Sequence, residues 1–346
     1  MKARSERPRI GWVPSARDAR IASVRLRCLL PARYLAEAGW QSEVVDRRAP
    51  HGYDVVVFQK QYDEWALELA AALKARGTRV VLDVCDNHLY NPDRVPKLAA
   101  RAERLLRMLD LADAVSVSTA ALGEMLPRDD AAVVDDVLDE YAWRGTSVAN
   151  PARVRRSPLR LRRRSSPALS LVWFGNAGME SPSFGLSHLR KILPVLNELD
   201  EELPIRLTVI SNSRAAFSAV VRQARFPRKY IEWRLDRFPT QFADHEVCVV
   251  PIELNPFTVC KTANRVALSL QLGVPVVADE IPSFAPFRAY VLFGDWLASL
   301  RRYAEDPGLR RQHAQEGRSF VRSLYTRERA VEQWSKLIDR AFEVAA

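Results

Sequence analysis

Between Val247 and Ala278 the chain reads VCVVPIELNPFTVCKTANRVALSLQLGVPVVA. An almost wholly apolar run, Val247–Ile252, is the kind of segment buried on both faces of a parallel sheet. A turn-rich stretch follows, then a helical run from Ala263 to Leu272, then Gly273, which can stop a helix as a left-handed C′ residue. Val274–Ala278 is a second apolar run. Two strands joined by one helix form a crossover unit and so run parallel. Asn255-Pro256 suits a helix cap and first helical residue, because Pro lacks the N–H that would be unpaired there; Thr258 and Thr262 are alternative starts. On a helix, Lys261, Asn264 and Arg265 share one face. Two cations beside the free N–H groups of a helix N-terminus attract phosphate. A solvated helix face accounts for the same charges.

The same alternation runs through the whole chain. In the first half, strands are predicted at Arg9–Pro14, Ser42–Asp46, Asp54–Lys60, Arg79–Asp86, Ala114–Thr119 and Ala131–Asp136. Helices are predicted at Arg25–Ala38, Glu64–Arg76, Lys97–Ala112 and Ala120–Met125, with Gly39 and Gly77 closing two of them. The second half repeats the logic. Its strands are Leu169–Phe174, Ile205–Ile210, Tyr230–Leu235, Val247–Ile252, Pro275–Ala278 and Tyr290–Phe293, with helices at Leu186–Leu199 and Arg214–Arg225. After residue 297 the chain is helical and charged, with a stripe including Leu300, Tyr303, Trp334 and Phe342 that suits packing back across both halves.

The fold class is α/β: two Rossmann-like parallel-sheet domains facing across a cleft. The expected divisions are 1–150, a basic linker at 151–168, 169–320, and a C-terminal helix at 321–346. A length of 346 residues agrees with two domains. The net charge of +10 favours phosphorylated ligands, anionic membrane surfaces or nucleic acid. Pro151–Ser166 holds seven arginines. It reads as a solvated linker, or as an attachment to anionic lipid. No aromatic-interleaved basic motif accompanies it, so no nucleic-acid partner is expected. Cys28, Cys85, Cys248 and Cys260 are scattered without a CxxC pair, which indicates neither a disulfide framework nor a zinc site. No apolar run is long enough to span a bilayer and no secretory h-region follows the N-terminus, so the expected location is cytoplasmic, with peripheral membrane contact as an option.

Several segments together resemble GT-B glycosyltransferases of the family-4-like type. They are the FGN turn at Phe174–Asn176, VVPIELNPF, and KTANRVALSLQLGVPVVA. ARIASVRLR, DVVVFQKQYD, VVLDVCDN, Tyr325-Thr326 and Trp334 add to the likeness. The resemblance implies a nucleotide-diphosphate sugar donor against the C-terminal half and a glycan or lipid-linked acceptor against the N-terminal half, in surface polysaccharide synthesis. It implies that Gly175 and Asn176 form the tight turn after the first strand of the donor domain. It also implies that Lys261 and Arg265 neutralise the pyrophosphate and that Asn264 bonds it or fixes the loop. No metal or other cofactor is expected. Glu253 is placed to accept from a ribose or sugar hydroxyl, or is a solvated loop carboxylate.

In the N-terminal half, Lys60 and the group Asp86, Asn87 and His88 end apolar strands, where a doubly wound sheet faces its ligand. His88 or Asp86 is placed to take the acceptor proton as general base. Equally, Asp86 or Asn87 caps a following helix and His88 is a loop residue. Arg20, Arg25 and Arg27 meet an anionic acceptor or are ordinary surface arginines. The chain departs from the family where two glutamates with seven residues between them are usual, since those positions hold Cys260 and Leu268. It departs again after Gly175, where NAGMES replaces an Arg/Lys pair. A non-catalytic GT-B-like module and a sugar-nucleotide epimerase on the same fold are the alternatives. A dehydrogenase is disfavoured because no GxGxxG follows a predicted strand.

Overall fold

The apolar runs build two six-stranded parallel sheets in the computed structural model, which describes residues 7–45, 52–140, 168–179, 181 and 183–343. The first sheet contains β1 (Ile10–Pro14), β2 (Ser42–Val44), β3 (Val55–Gln59), β4 (Arg79–Val84), β5 (Ala114–Val117) and β6 (Ala132–Val133), in the order β2-β1-β3-β4-β5-β6. Its register sets Trp12 opposite Val57 and Val57 opposite Val81. The second domain opens with β7 (Leu169–Phe174). A small antiparallel hairpin follows, β8 (Gly178–Met179) and β9 (Phe184–Gly185). Then come β10 (Ile205–Ser211), β11 (Arg228–Glu232), β12 (Val247–Val250), β13 (Val276–Ala278) and β14 (Val291–Phe293), and the sheet order is β11-β10-β7-β12-β13-β14.

These segments are strands because helices cover both faces, and valine-rich runs supply apolar atoms on both. Val55, Val56, Val57 and Phe58 are all fully buried. In the second sheet the order reverses between β7 and β12. In the first it reverses between β1 and β3. Open parallel sheets hold ligands beyond the strand ends at such reversals.

The C-terminal region forms three helices, Trp296–Glu305, Pro307–Leu324 and Arg327–Glu343. The first two pack on the second domain. Gly317 lets the middle helix approach Leu270, since a Cβ there would stand 2.8 Å from a leucine methyl. The break at Tyr325 and Thr326 sends the last helix onto the first domain, where Trp334, Leu337, Ile338 and Ala341 join a core with Ile10, Trp12 and Val57. Trp334 meets Trp12 edge to face, with centroids 4.7 Å apart. Earlier in the chain, Val134–Glu140 runs from the first sheet toward the second domain, and Leu138 joins the second domain's core.

Each predicted strand is present; Leu169–Phe174 keeps its bounds, Ile205–Ser211 is one residue longer, and the others are shortened or shifted by a few residues. The helix expected from Asn255, Thr258 or Thr262 begins instead at Asn264 and ends at Gln271. Asn255 Oδ1 accepts from the N–H groups of Phe257 (2.9 Å) and Thr258 (3.0 Å), so Asn255-Pro256 caps a separate turn. The hairpin and the short helix Phe238–Phe242 carry no periodicity and escape prediction. The arginine-rich run within 151–168 lies outside the described residues apart from position 168.

Candidate functional site

The two domains meet at Asp86, which follows β4 and faces the loop between β12 and the helix Asn264–Gln271. One carboxylate oxygen is paired with the Lys60 ammonium and the other with that of Lys261, from the opposite domain. Lys60 follows β3 in a left-handed backbone conformation (φ 52), which is unusual for a residue with a Cβ. Lys261 Nζ also lies 3.9 Å from the centroid of the Phe257 ring. Burial alone would raise the Asp86 carboxyl, but the two ammonium groups hold it well below the usual carboxylate range.

His88 is 5% exposed. Its Nδ1 is hydrogen-bonded with the Tyr62 hydroxyl, and its Nε2 stands 3.9 Å from Asp86. Burial, with help from Lys60, Arg101 and Lys261, pushes the ring down to about 3 against the opposing pull of Asp86. The general-base expectation for Asp86 and His88 therefore finds a doubly ion-paired carboxylate and a weakly basic neutral ring. Neither has a pKa near neutrality, as an efficient base requires. No helix follows Asn87 directly. Its Oδ1 accepts from the Leu89 N–H, and its Nδ2 donates across the cleft to the Pro256 carbonyl (2.9 Å).

On the second domain, Gly175 follows β7 with φ 154, and a Cβ there would stand 3.1 Å from the Trp173 ring. Asn176 Oδ1 accepts from the Gly178 N–H (2.8 Å) and so fixes the turn into the β8–β9 hairpin. The hairpin is tied to the loop after β12: Ser183 donates to Glu253 (3.1 Å), and Asn255 Nδ2 donates to the Ser183 carbonyl (3.0 Å).

Lys261, Asn264 and Arg265 do not share a helical face, because Lys261 precedes the helix. The three side chains diverge. Lys261 goes to Asp86, while Asn264 donates to Asp136 of the first domain. Arg265 lies 6.0 Å from the Trp173 ring with no ion pair among the described residues, and burial lowers its guanidinium to about 10. His188 sits close enough for the Arg265 charge to lower its ring pKa further, after burial as the main cause. Its Nδ1 accepts from the Glu253 N–H, whereas its Nε2 is buried without a partner. An unopposed guanidinium beside a Gly turn at the sheet's reversal point is a receptive place for an anion.

The remaining acceptor-side candidates separate. Arg20 is exposed and paired with Asp18. Arg25 is buried and paired with both oxygens of Asp139, so it is neither a surface arginine nor free to meet an acceptor. Arg27 is likewise buried. It binds Asp83 and Asp136, and Ser116 adds a bond to Asp83 (2.6 Å).

Sequence reasoning missed Tyr62, Arg101, Asp136 and His188. Tyr62, two residues beyond Lys60, was legible as a strand-end group. Asp136 and His188 gain meaning only from the opposite domain or from the hairpin. Among the described residues no group of three or more His, Cys, Asp or Glu stands together as a metal site.

No family model and no curated protein sequence matches the chain. Structural likeness is extensive. Over 98% of its length the chain matches 99% of a glycosyltransferase from Rickettsia africae ESF-5, with a TM-score of 0.68 and 10% identity. It matches a TarM mutant from S. aureus, in complex with fondaparinux, alpha-GlcNAc-glycerol and UDP, with a TM-score of 0.57 and 9% identity over 82% of this chain and 55% of that one. An alpha,alpha-trehalose 6-phosphate synthase from Burkholderia multivorans gives a TM-score of 0.54 at 14% identity, covering 95% and 78%. At such identities the likeness is one of fold. The fold is GT-B, two Rossmann-like domains across a cleft with helices packing back from the C-terminus.

Proposed function

We propose that the chain is a glycosyltransferase that moves a sugar from a nucleotide-diphosphate sugar to a glycan or lipid-linked acceptor in surface polysaccharide synthesis, without a metal. One observation carries the reading: Arg265 is a half-buried guanidinium without a carboxylate partner among the described residues, in the first turn of the helix that follows β12 in a sheet of Rossmann order. The UDP in the TarM complex supports a nucleoside diphosphate as its ligand. In this reading the pyrophosphate lies against Arg265, the Gly175 turn and the first N–H groups of the helix Asn264–Gln271. Asn176 and Glu253 hold the hairpin and the loop around it. Lys261 reaches the phosphates by exchanging Asp86 for them.

The acceptor approaches Lys60, Asp86 and His88. Its hydroxyl oxygen bonds to the anomeric carbon as the bond from that carbon to the phosphate oxygen breaks. The bonding pair leaves with the nucleoside diphosphate, and Arg265 stabilises the growing charge. Because Asp86 and His88 are weak bases in this arrangement, the leaving phosphate takes the acceptor proton, which corresponds to a retaining course. Asp86 then acts by holding Lys60 in place. The arginine-rich run at 153–164 provides peripheral contact with an anionic membrane on the cytoplasmic side. Among the described residues no helix is long and apolar enough to cross a membrane.

A non-catalytic module is the second reading, favoured by Cys260 and Leu268 at the usual glutamate positions. Cys260 is buried with its backbone carbonyl bonded to Thr119 (3.0 Å), so no carboxylate substitutes there. Turnover separates the two. Purified protein is incubated with UDP-, GDP-, dTDP- and ADP-sugars and a mixed acceptor extract, with and without EDTA, and nucleotide release is measured. Release with one donor, unchanged by EDTA and giving a product of retained anomeric configuration by NMR, is the expected result. Nucleotide binding without release from any donor would favour the module.

A further inference from the structure

The loop between β12 and the helix Asn264–Gln271 belongs to the second domain in sequence but is seated in the first. Cys260 is 1% exposed within the first-domain cluster that contains Val117, Leu122 and Leu126, and Val259 packs against the same cluster. Polar bonds pin the loop on both sides of that contact. Asn87 donates to the Pro256 carbonyl (2.9 Å) and Thr119 to the Cys260 carbonyl (3.0 Å). Lys261 pairs with Asp86, and Asn264, the first residue of the helix, donates to Asp136.

The charges are arranged so that this contact can part. Each carboxylate keeps a cation of its own domain: Asp86 pairs with Lys60, and Asp136 with Arg27 (2.9 Å). Separation therefore strands neither carboxylate, and a stranded buried charge is what makes breaking an ion pair strongly destabilising. The groups they hold across the cleft, Lys261 and the start of the helix, are those that would answer an anion on the second domain. A pyrophosphate bound there takes over Lys261 and sets its own negative charge against Asp86 and Asp136. Both effects weaken the seating of the loop.

We propose that the loop from Pro256 to Lys261 is a latch. It holds the cleft shut in the nucleotide-free chain, with Asp86 and Asp136 in the place of donor phosphates. A bound nucleoside diphosphate releases it and draws Cys260 out of the first domain. The trigger rests on the nucleotide-sugar reading, while the latch stands on the contacts themselves. Linkage makes the effect mutual: if nucleotide loosens the latch, loosening the latch tightens nucleotide binding. A cleft that closed upon its donor would instead keep Cys260 buried.

Thiol alkylation of the full chain tests it. Iodoacetamide labelling is followed at each cysteine by peptide mass spectrometry, with and without saturating UDP, GDP, dTDP or ADP, and calorimetry gives the affinities. Cys28 and Cys248 are buried free thiols, each in the core of one domain, and serve as internal references. A nucleotide that binds should speed labelling of Cys260 at least about fivefold, the lower end of usual coupling between sites, and leave both references unchanged. Asp86→Asn should label faster at Cys260 without nucleotide and bind the nucleotide at least about fivefold more tightly. Asn87→Ala, which changes no charge, should move both quantities the same way by a smaller factor. It carries the test alone should Asp86→Asn also label Cys28 and Cys248, the sign of unfolding. Cys260 labelling that a bound nucleotide slows or leaves unchanged, or wild-type labelling and affinity in the variants, would overturn the latch. If no nucleotide binds the wild type, the nucleotide-sugar reading fails by itself. Faster Cys260 labelling in the variants would then still uphold the latch contact, and wild-type labelling would overturn it.

Discussion

Asp86 joins two domains through two lysines, and its removal should be felt chiefly as stability. In Asp86→Asn, Lys60 and Lys261 would face each other without the carboxylate that holds them. Breaking a buried pair costs about 3–5 kcal/mol because the remaining charge stays buried. Urea unfolding should show a loss near the lower end, since both lysines keep some contact with solvent. His88 contributes in a different way. Unfolded, its ring takes a proton near the ordinary 6.5; folded, it does so only at about 3. Between those values the unfolded chain binds more protons, so stability falls as pH drops through this window. The slope for one proton is at most about 1.4 kcal/mol per pH unit. His88→Gln should flatten the dependence of melting temperature on pH between 6.5 and 4, and an unchanged slope would assign the acid sensitivity elsewhere. At this scale the sequence was legible in part. Lys60, Asp86 and His88 announce themselves as polar groups ending apolar strands. Their roles do not, because the pKa values of Asp86 and His88 depend on burial and on Lys261, and that of His88 on Arg101 too, which only folding brings near.

Strands were the most legible elements, since burial on both faces demands continuous apolar runs, as at Val55–Phe58 and Leu169–Phe174. The helix after β12 was legible in its length and its glycine stop but not in its start. Asn255 satisfies two N–H groups of a separate turn, and a cap signal does not say which turn it caps. That local difference moved Lys261 off the helix and dispersed a charge cluster that spacing alone had assembled. The β8–β9 hairpin was illegible because it is held by backbone geometry rather than by apolar pattern. Gly178 (φ 79) is central to it: a Cβ there would stand 1.9 Å from the Phe184 carbonyl oxygen. Gly178→Ala should therefore open the hairpin, lowering the melting temperature by a few degrees and weakening nucleotide affinity severalfold. Wild-type affinity with the hairpin disrupted would detach the hairpin from the donor site.

Across the whole molecule, the last helix closes the first domain although it follows the second in sequence. Its amphipathic stripe was readable, but its destination beside Trp12 was not, since a stripe states that a face is buried and not against what. Trp334 is 1% exposed and lies in the first domain's core. Trp334→Ala should cost about 3–5 kcal/mol, and a loss under 1 kcal/mol in urea unfolding would show that the domain holds without this helix. The two domains also meet through Lys261–Asp86, Asn264–Asp136 and Thr119 with the Cys260 carbonyl. Donor phosphates would compete with the first two contacts, so nucleotide binding and domain contact are linked. The most direct measurement titrates UDP, GDP, dTDP, ADP and CMP into the wild type and into Arg265→Ala by calorimetry. Charge-assisted bonds contribute about 1.5–3 kcal/mol each. One diphosphate should bind the wild type, and the variant should bind it at least tenfold more weakly while melting no lower. Binding of that nucleotide with equal affinity to both proteins, or of none to the wild type, would contradict the account.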